Sequence, residues 1–192
     1  MRIRSCVLLA LLWGAGHSLV ADVLYSVTDL GSLGGSAAIG YSINNAGQVT
    51  GYSTTSSGDD HAFLYSNGQI TDLGAFGGGE SGGSGINNAG QVTGSYSTPT
   101  HSQRAFLYSN GQMRDIGTLG ANYAFANAIN DTGQVTGGSG ISFFGSAHVF
   151  LYTDGQMMDL GTLGDLGSEG KAINNVGQII GSFSTARDIR AF

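Results

Sequence analysis

Ile43–Asn44–Asn45–Ala46–Gly47–Gln48–Val49–Thr50–Gly51 recurs along this chain as INNAGQVTG from Ile86, INDTGQVTG from Ile129 and INNVGQIIG from Ile173. The steps are 43, 43 and 44 residues, and other landmarks keep the same interval. AFLYSNGQ starts at Ala62 and Ala105, VFLYTDGQ at Val149, and Ala191–Phe192 begins the motif once more. Asp-Leu/Ile-Gly begins at Asp29, Asp72, Asp115 and Asp159. A fixed period of this length marks a repeat architecture, in which each unit buries its apolar surface against its neighbours.

Within one repeat, two hairpins can be read. Ser66–Asn67–Gly68–Gln69 lies between two apolar runs, and SNGQ or TDGQ recurs at Ser109 and Thr153. Asn-Gly and Asp-Gly accept the two positive φ angles of a type I′ turn. Asn45–Ala46–Gly47 joins a second pair of runs, with Gly47 at the position best suited to a left-handed backbone. The first unit therefore has four expected strands, a to d, near 38–43, 48–53, 61–65 and 69–73. No 3.6-residue period is sustained, and glycine interrupts every window that could form a helix.

Strand c sets the packing. Ala62–Phe63–Leu64–Tyr65 is apolar on both faces, as is VFLY at Val149, and a strand buried on both sides reads this way. The expectation is an all-β, β-propeller-like array of four four-stranded blades of about 43 residues, stacked face to face. A β-solenoid is the rival, although its coils are usually shorter and lack tight I′ hairpins. Tyr25–Gly31 aligns with strand d, which the incomplete last unit lacks, so this N-terminal strand is expected to close a ring. Closure within the single chain is the favoured expectation, and closure between two chains in a two-fold dimer is its rival.

Residues 1–21 have a different composition. Arg2 and Arg4 precede the apolar run Cys6–Trp13, and small residues follow. This pattern predicts a secretory signal peptide cleaved after Ala21, with Gly16 and Ser18 as alternative sites and an uncleaved N-terminal anchor as the rival. The predicted organisation is a signal peptide over 1–21 and a single repeat domain over 22–192, extracellular or periplasmic. Cleavage leaves five basic against thirteen acidic residues, a net charge of −8, and removes the single cysteine, Cys6. That excludes disulfides and thiolate chemistry and disfavours nucleic acid, which needs clustered Lys and Arg.

The residues His61–Ala62–Phe63, followed by LY, NGQ, TDLG and INNAGQV, resemble the HAF repeat family of extracellular bacterial repeats. The resemblance spans essentially the whole predicted mature chain; Arg104 and His148–Val149 depart from the first two letters of the motif. It implies a secreted, propeller-like protein with no catalytic residues to carry over. Family members often end in a Pro-Glu-Pro type sorting signal with a membrane helix, a signal this sequence lacks.

No constellation of residues points to catalysis. His61 and His148 share a repeat position that Arg104 fills in the second unit, which suggests a structural role at a strand edge. The recurrent Asp29, Asp72, Asp115 and Asp159 are expected to bond neighbouring backbone N–H groups, because an acid/base pair needs two different environments. The Asn-rich turns lack the dense carboxylates of a calcium loop, and the glycine runs open no helix that could hold a phosphate. No metal and no cofactor are expected.

Variability is a better guide. The a–b and c–d turns scarcely change, whereas the b–c and d–a connections at the other end do. Variable loops on a rigid scaffold are where binding is usually found, with neutral drift as the alternative. The candidate ligand-binding residues are Asp59, Asp60, His101, Arg104, Tyr123, Phe143, Phe144 and Arg187. Two adjacent phenylalanines in an exposed loop weigh against drift. The expected function is a secreted, non-enzymatic scaffold binding an extracellular glycan or protein through this face, with no membrane span after cleavage. A propeller-type glycan hydrolase or lyase is an alternative, as is a fragment or structural module of a larger cell-surface protein.

Overall fold

The structure is a computed structural model that describes residues 26–77, 79–142, 145–164 and 166–192. The predicted signal peptide, Tyr25 and the Phe143–Phe144 pair lie outside the described residues.

The described residues are all-β, with fifteen strands in four antiparallel sheets whose strands pair in sequence order. The first sheet holds β1 (Gly34–Ile43), β2 (Val49–Thr55), β3 (Asp60–Ser66) and β4 (Gln69–Gly74). The second holds β5 (Ser81–Ile86), β6 (Val92–Ser97), β7 (Gln103–Ser109) and β8 (Gln112–Asp115). The third holds β9 (Ala124–Ile129), β10 (Val135–Gly140), β11 (Ala147–Thr153) and β12 (Gln156–Gly161). The fourth has three strands, β13 (Gly167–Ile173), β14 (Ile179–Ser184) and β15 (Ile189–Ala191).

The hairpin chemistry follows the sequence. Asn67 and Gly68 have φ of 51° and 81°, and Asn110–Gly111 and Asp154–Gly155 match them. These are the two positive angles that a type I′ turn demands. Gly47 sits at φ 73°, and its N–H donates to the Asn44 carbonyl at 3.0 Å.

Consecutive sheets stack, β2 against β5, β6 against β9 and β10 against β13. Ala62 with Phe63, Ala105 with Phe106 and Val149 with Phe150 are all buried, so neighbours on opposite faces of each third strand are out of water. Burying each phenyl ring contributes about 2–3 kcal/mol. One apolar cluster joins Ala62, Ile86, Val92 and Phe106 across the first junction, and another joins Ala105, Ala126, Val135 and Phe150 across the second. Small residues at the crossing allow the close approach: a Cβ on Gly83 would run into Thr50 of the sheet before it, and one on Gly170 into Thr136.

The expected closing strand is not formed. Ser26–Leu33 has no strand, and the four sheets pair separately, with no ring closed among the described residues. The reason is positional. The first and fourth sheets lie at opposite ends of the stack, and β15 is only three residues long.

Candidate functional site

The two ends of the array are built differently, and asparagine is the cause. Asn44 Oδ1 accepts the N–H groups of Ala46 and Gln48, each at 3.0 Å, which fixes the turn between β1 and β2. Its Nδ2 then reaches the next sheet and donates to the Asn87 carbonyl at 2.9 Å. Asn87 donates likewise to Asn130 O and Asn130 to Asn174 O, both at 3.0 Å. Aspartate could shape the turn but could not donate onward. Alongside runs a second ladder, in which the N–H groups of Asn45, Asn88 and Asp131 donate to the side-chain Oδ1 of Asn88, Asp131 and Asn175. Hydrogen bonds from the Asn88 backbone, then from the Asn88 and Asn175 side chains, hold the Asp131 carboxyl below the usual range. The third-strand turns join this end through Gln48 Nε2 to Ser66 Oγ and Gln91 Nε2 to Ser109 Oγ. All the constant turns thus lie at one end, which leaves the variable connections at the other.

The four aspartates do the expected backbone work. Asp29, Asp72, Asp115 and Asp159 each accept, through Oδ1, the N–H of the glycine two residues on, at 2.6–2.9 Å. Three of them also meet the histidine or arginine side chain at the variable position of their repeat. His61 Nδ1 lies 2.9 Å from Asp72, Arg104 Nη2 2.9 Å from Asp115, and His148 Nδ1 3.0 Å from Asp159. Arg104 is thus paired within its own sheet, with its side chain partly exposed.

The other candidates scatter. Asp59 is exposed and accepts from Ser57 Oγ within its own turn. His101, at φ 61°, closes the turn from Thr98, and Arg187 is exposed in the turn from Thr185 to Asp188. Tyr123 fastens a loop by donating its hydroxyl to the Gly145 carbonyl at 3.0 Å. Among the described residues of the predicted set, Asp60 lines a recess and accepts a hydrogen bond from Thr54 Oγ1 at 2.7 Å.

That recess lies between the first and second sheets, at the variable-loop end. It has a volume of ≈ 250 Å³ and is walled by Tyr41, Tyr52 and Tyr96, with Asp60, Glu80, Ser95 and Gln103 supplying polar groups. Tyr41 and Tyr52 pack as a tilted pair with ring centroids 5.9 Å apart. Tyr96 is buried, leans on Phe76 at 4.5 Å and donates its hydroxyl to Asp115 Oδ2 at 2.8 Å. Burial first, and then the Asp115 carboxylate, push its phenol up to about 12. A second recess of ≈ 350 Å³ at the constant end is lined mostly by positions that repeat in every unit, such as Gln91, Leu107 and Gly133.

The Tyr96 phenol makes stability depend on pH in the alkaline range. Its folded-state pKa is raised, so its contribution is intact below the ordinary value near 10 and is lost as pH rises towards 12. The melting temperature of the wild-type chain should fall over that window. Tyr96→Phe, which keeps the ring and removes the ionisation, should flatten the fall in a melting series across pH 9 to 12. An equal slope in both proteins would count against the buried Tyr96–Asp115 bond.

Sequence reasoning missed Tyr41, Tyr52, Tyr96 and Glu80, although a signal was present. Tyr52 stands where later repeats carry Ser95, Gly138 and Ser182, and Tyr41 where they carry Ser84, Asn127 and Lys171. Departures from the repeat, compared unit by unit, mark this recess. Scanned against protein-family models the sequence matches none, and it matches no curated protein.

Proposed function

We propose that this chain is a secreted, non-enzymatic repeat scaffold with propeller-like stacking that binds an extracellular glycan at its variable-loop end. It resembles the HAF repeats in the motifs quoted above, and the run at residues 1–21 supports export. The observation that carries the reading is the recess between the first two sheets. Sugars present apolar ring faces edged with hydroxyls. A tyrosine pair offers flat, amphipathic surface for the faces, and Asp60 and Glu80 accept from the hydroxyls. Concave sites of this kind fix orientation with a few polar groups on an apolar wall.

A glycan array probed with the purified chain tests this. Wild type should retain a small set of related glycans. Tyr52→Ser, which installs the residue the second repeat carries at that position, should weaken binding at least about tenfold, as loss of an aromatic anchor does. An array with no retained glycan, or hits that Tyr52→Ser leaves untouched, would sink the proposal.

A further inference from the structure

The tyrosine-walled recess between the first two sheets carries a charge that the other junctions lack. Asp60 lines it from the first sheet and Glu80 from the approach to the second. At the second junction Gln103 and Tyr123 fill these positions, and at the third Ala147 and Gly167 do. Among the described residues, no basic side chain lines the recess. Arg104, beside Gln103 in sequence, pairs with Asp115 at 2.9 Å instead.

The corresponding recess between the third and fourth sheets shows the contrast. It also holds a carboxylate, Glu169, but there the chain supplies the cation itself: Lys171 Nζ lies 2.7 Å from Glu169 Oε1. In the first recess Asp60 spends Oδ1 on Thr54, and the Glu80 carboxylate makes no hydrogen bond or ion pair among the described residues. Two carboxylates without a cation of their own, beside the Tyr41–Tyr52 pair, suit a positively charged organic ligand. Carboxylates accept strongly from an ammonium, and a tyrosine face attracts it through the ring quadrupole. A calcium ion needs six or more oxygen ligands, and among the described residues no three His, Cys, Asp or Glu side chains gather.

We infer that this recess takes an amino sugar whose amine is free and protonated, an inference that rests on the recess being a glycan site. The ammonium is shared by Asp60 and Glu80, and the apolar ring face lies on the tyrosine pair. An N-acetylated sugar fits the same walls poorly for a chemical reason. Its acetamide is neutral and offers one N–H where an ammonium offers three, so one carboxylate is left without a donor.

Three oligosaccharides of equal length and linkage test this, differing only in the substituent on the second ring carbon: glucosamine, N-acetylglucosamine and glucose. Calorimetric titration at about pH 5.5 keeps the amine protonated and the carboxylates charged. The glucosamine oligomer should bind at least about tenfold tighter than either other, the scale of a charge-assisted hydrogen bond. Added salt should narrow that margin. Asp60→Asn and Glu80→Gln keep side-chain shape and remove charge. Each should weaken the glucosamine oligomer about tenfold and leave the glucose oligomer unchanged. Glu169→Gln, in the recess with its own lysine, should change neither. Equal affinity for all three sugars, or a preference for a neutral one, would overturn the amine and leave the glycan site standing. No binding here and none on the glycan array would overturn both. An amine preference that survives Asp60→Asn and Glu80→Gln together would belong to another part of this acidic chain and overturn the inference. So would a trilysine peptide that competes as well as the sugar, since the recess would then be a site for basic peptides.

Discussion

Phe106→Ala should destabilise the protein by about 3–5 kcal/mol, among the largest losses available to a single substitution in this fold. Phe106 is fully buried and joins Ala62, Ile86 and Val92 in the cluster between the first and second sheets. The loss has two parts. The ring's transfer free energy disappears, and the two sheets collapse only partly into the space, because the Asn44-to-Asn87 bond and the neighbouring core contacts hold them apart. Unfolding followed by denaturant should show the midpoint falling. A change below about 1 kcal/mol would mean that the third strands do not form the core between sheets.

Asn87 should be nearly as sensitive, although it is polar and sits in a turn. It is buried, and its side chain makes four hydrogen bonds: Oδ1 accepts from Ala89 and Gln91, and Nδ2 donates to Gln91 Oε1 and Asn130 O. Asn87→Ala strands several of these partners away from water. A buried group left unpaired costs about 1–3 kcal/mol, so the expected loss is about 3 kcal/mol. Asn87→Asp discriminates further. It keeps the turn acceptor but sets a carboxylate oxygen against the Asn130 carbonyl, so it should be no milder than alanine. Asn88→Ala, at the exposed neighbour, should cost under about 1 kcal/mol. Equal and small effects at all three would mean that the ladder contributes nothing to stacking.

Much of the fold was legible in the sequence because its determinants are local. Asn67–Gly68 and its repeats dictate the hairpin turns by backbone conformation alone. Ala62–Phe63 announces burial on both faces, and the Asp72-to-Gly74 turn needs only residues two apart. The closing role of Tyr25–Gly31 was not local. Its composition matches a fourth strand, but an edge strand needs a neighbour, and stacking puts β15 at the far end of the array. The Arg104–Asp115 pair spans eleven residues, and it repeats the His61–Asp72 and His148–Asp159 pairs of the neighbouring units. The recess was hidden for a different reason. Tyr41 and Tyr52 come from one repeat, Glu80 and Tyr96 from the next, and only the stacking of two sheets brings them to one wall. The constant turns, conspicuous in the sequence, hold the array together, while the departures from the repeat mark the recess.

The central functional claim is that a glycan lies between Tyr52 and Tyr96 at the variable-loop end. Amide chemical-shift mapping, with the best glycan from the array titrated into labelled protein, tests it most directly. The expected shifts centre on Tyr52, Asp60, Glu80, Gly82, Tyr96 and Ser97, while the turn amides of Asn45, Asn88 and Asp131 stay still. Shifts centred on those asparagine turns, or none above the scatter at saturating glycan, would contradict it.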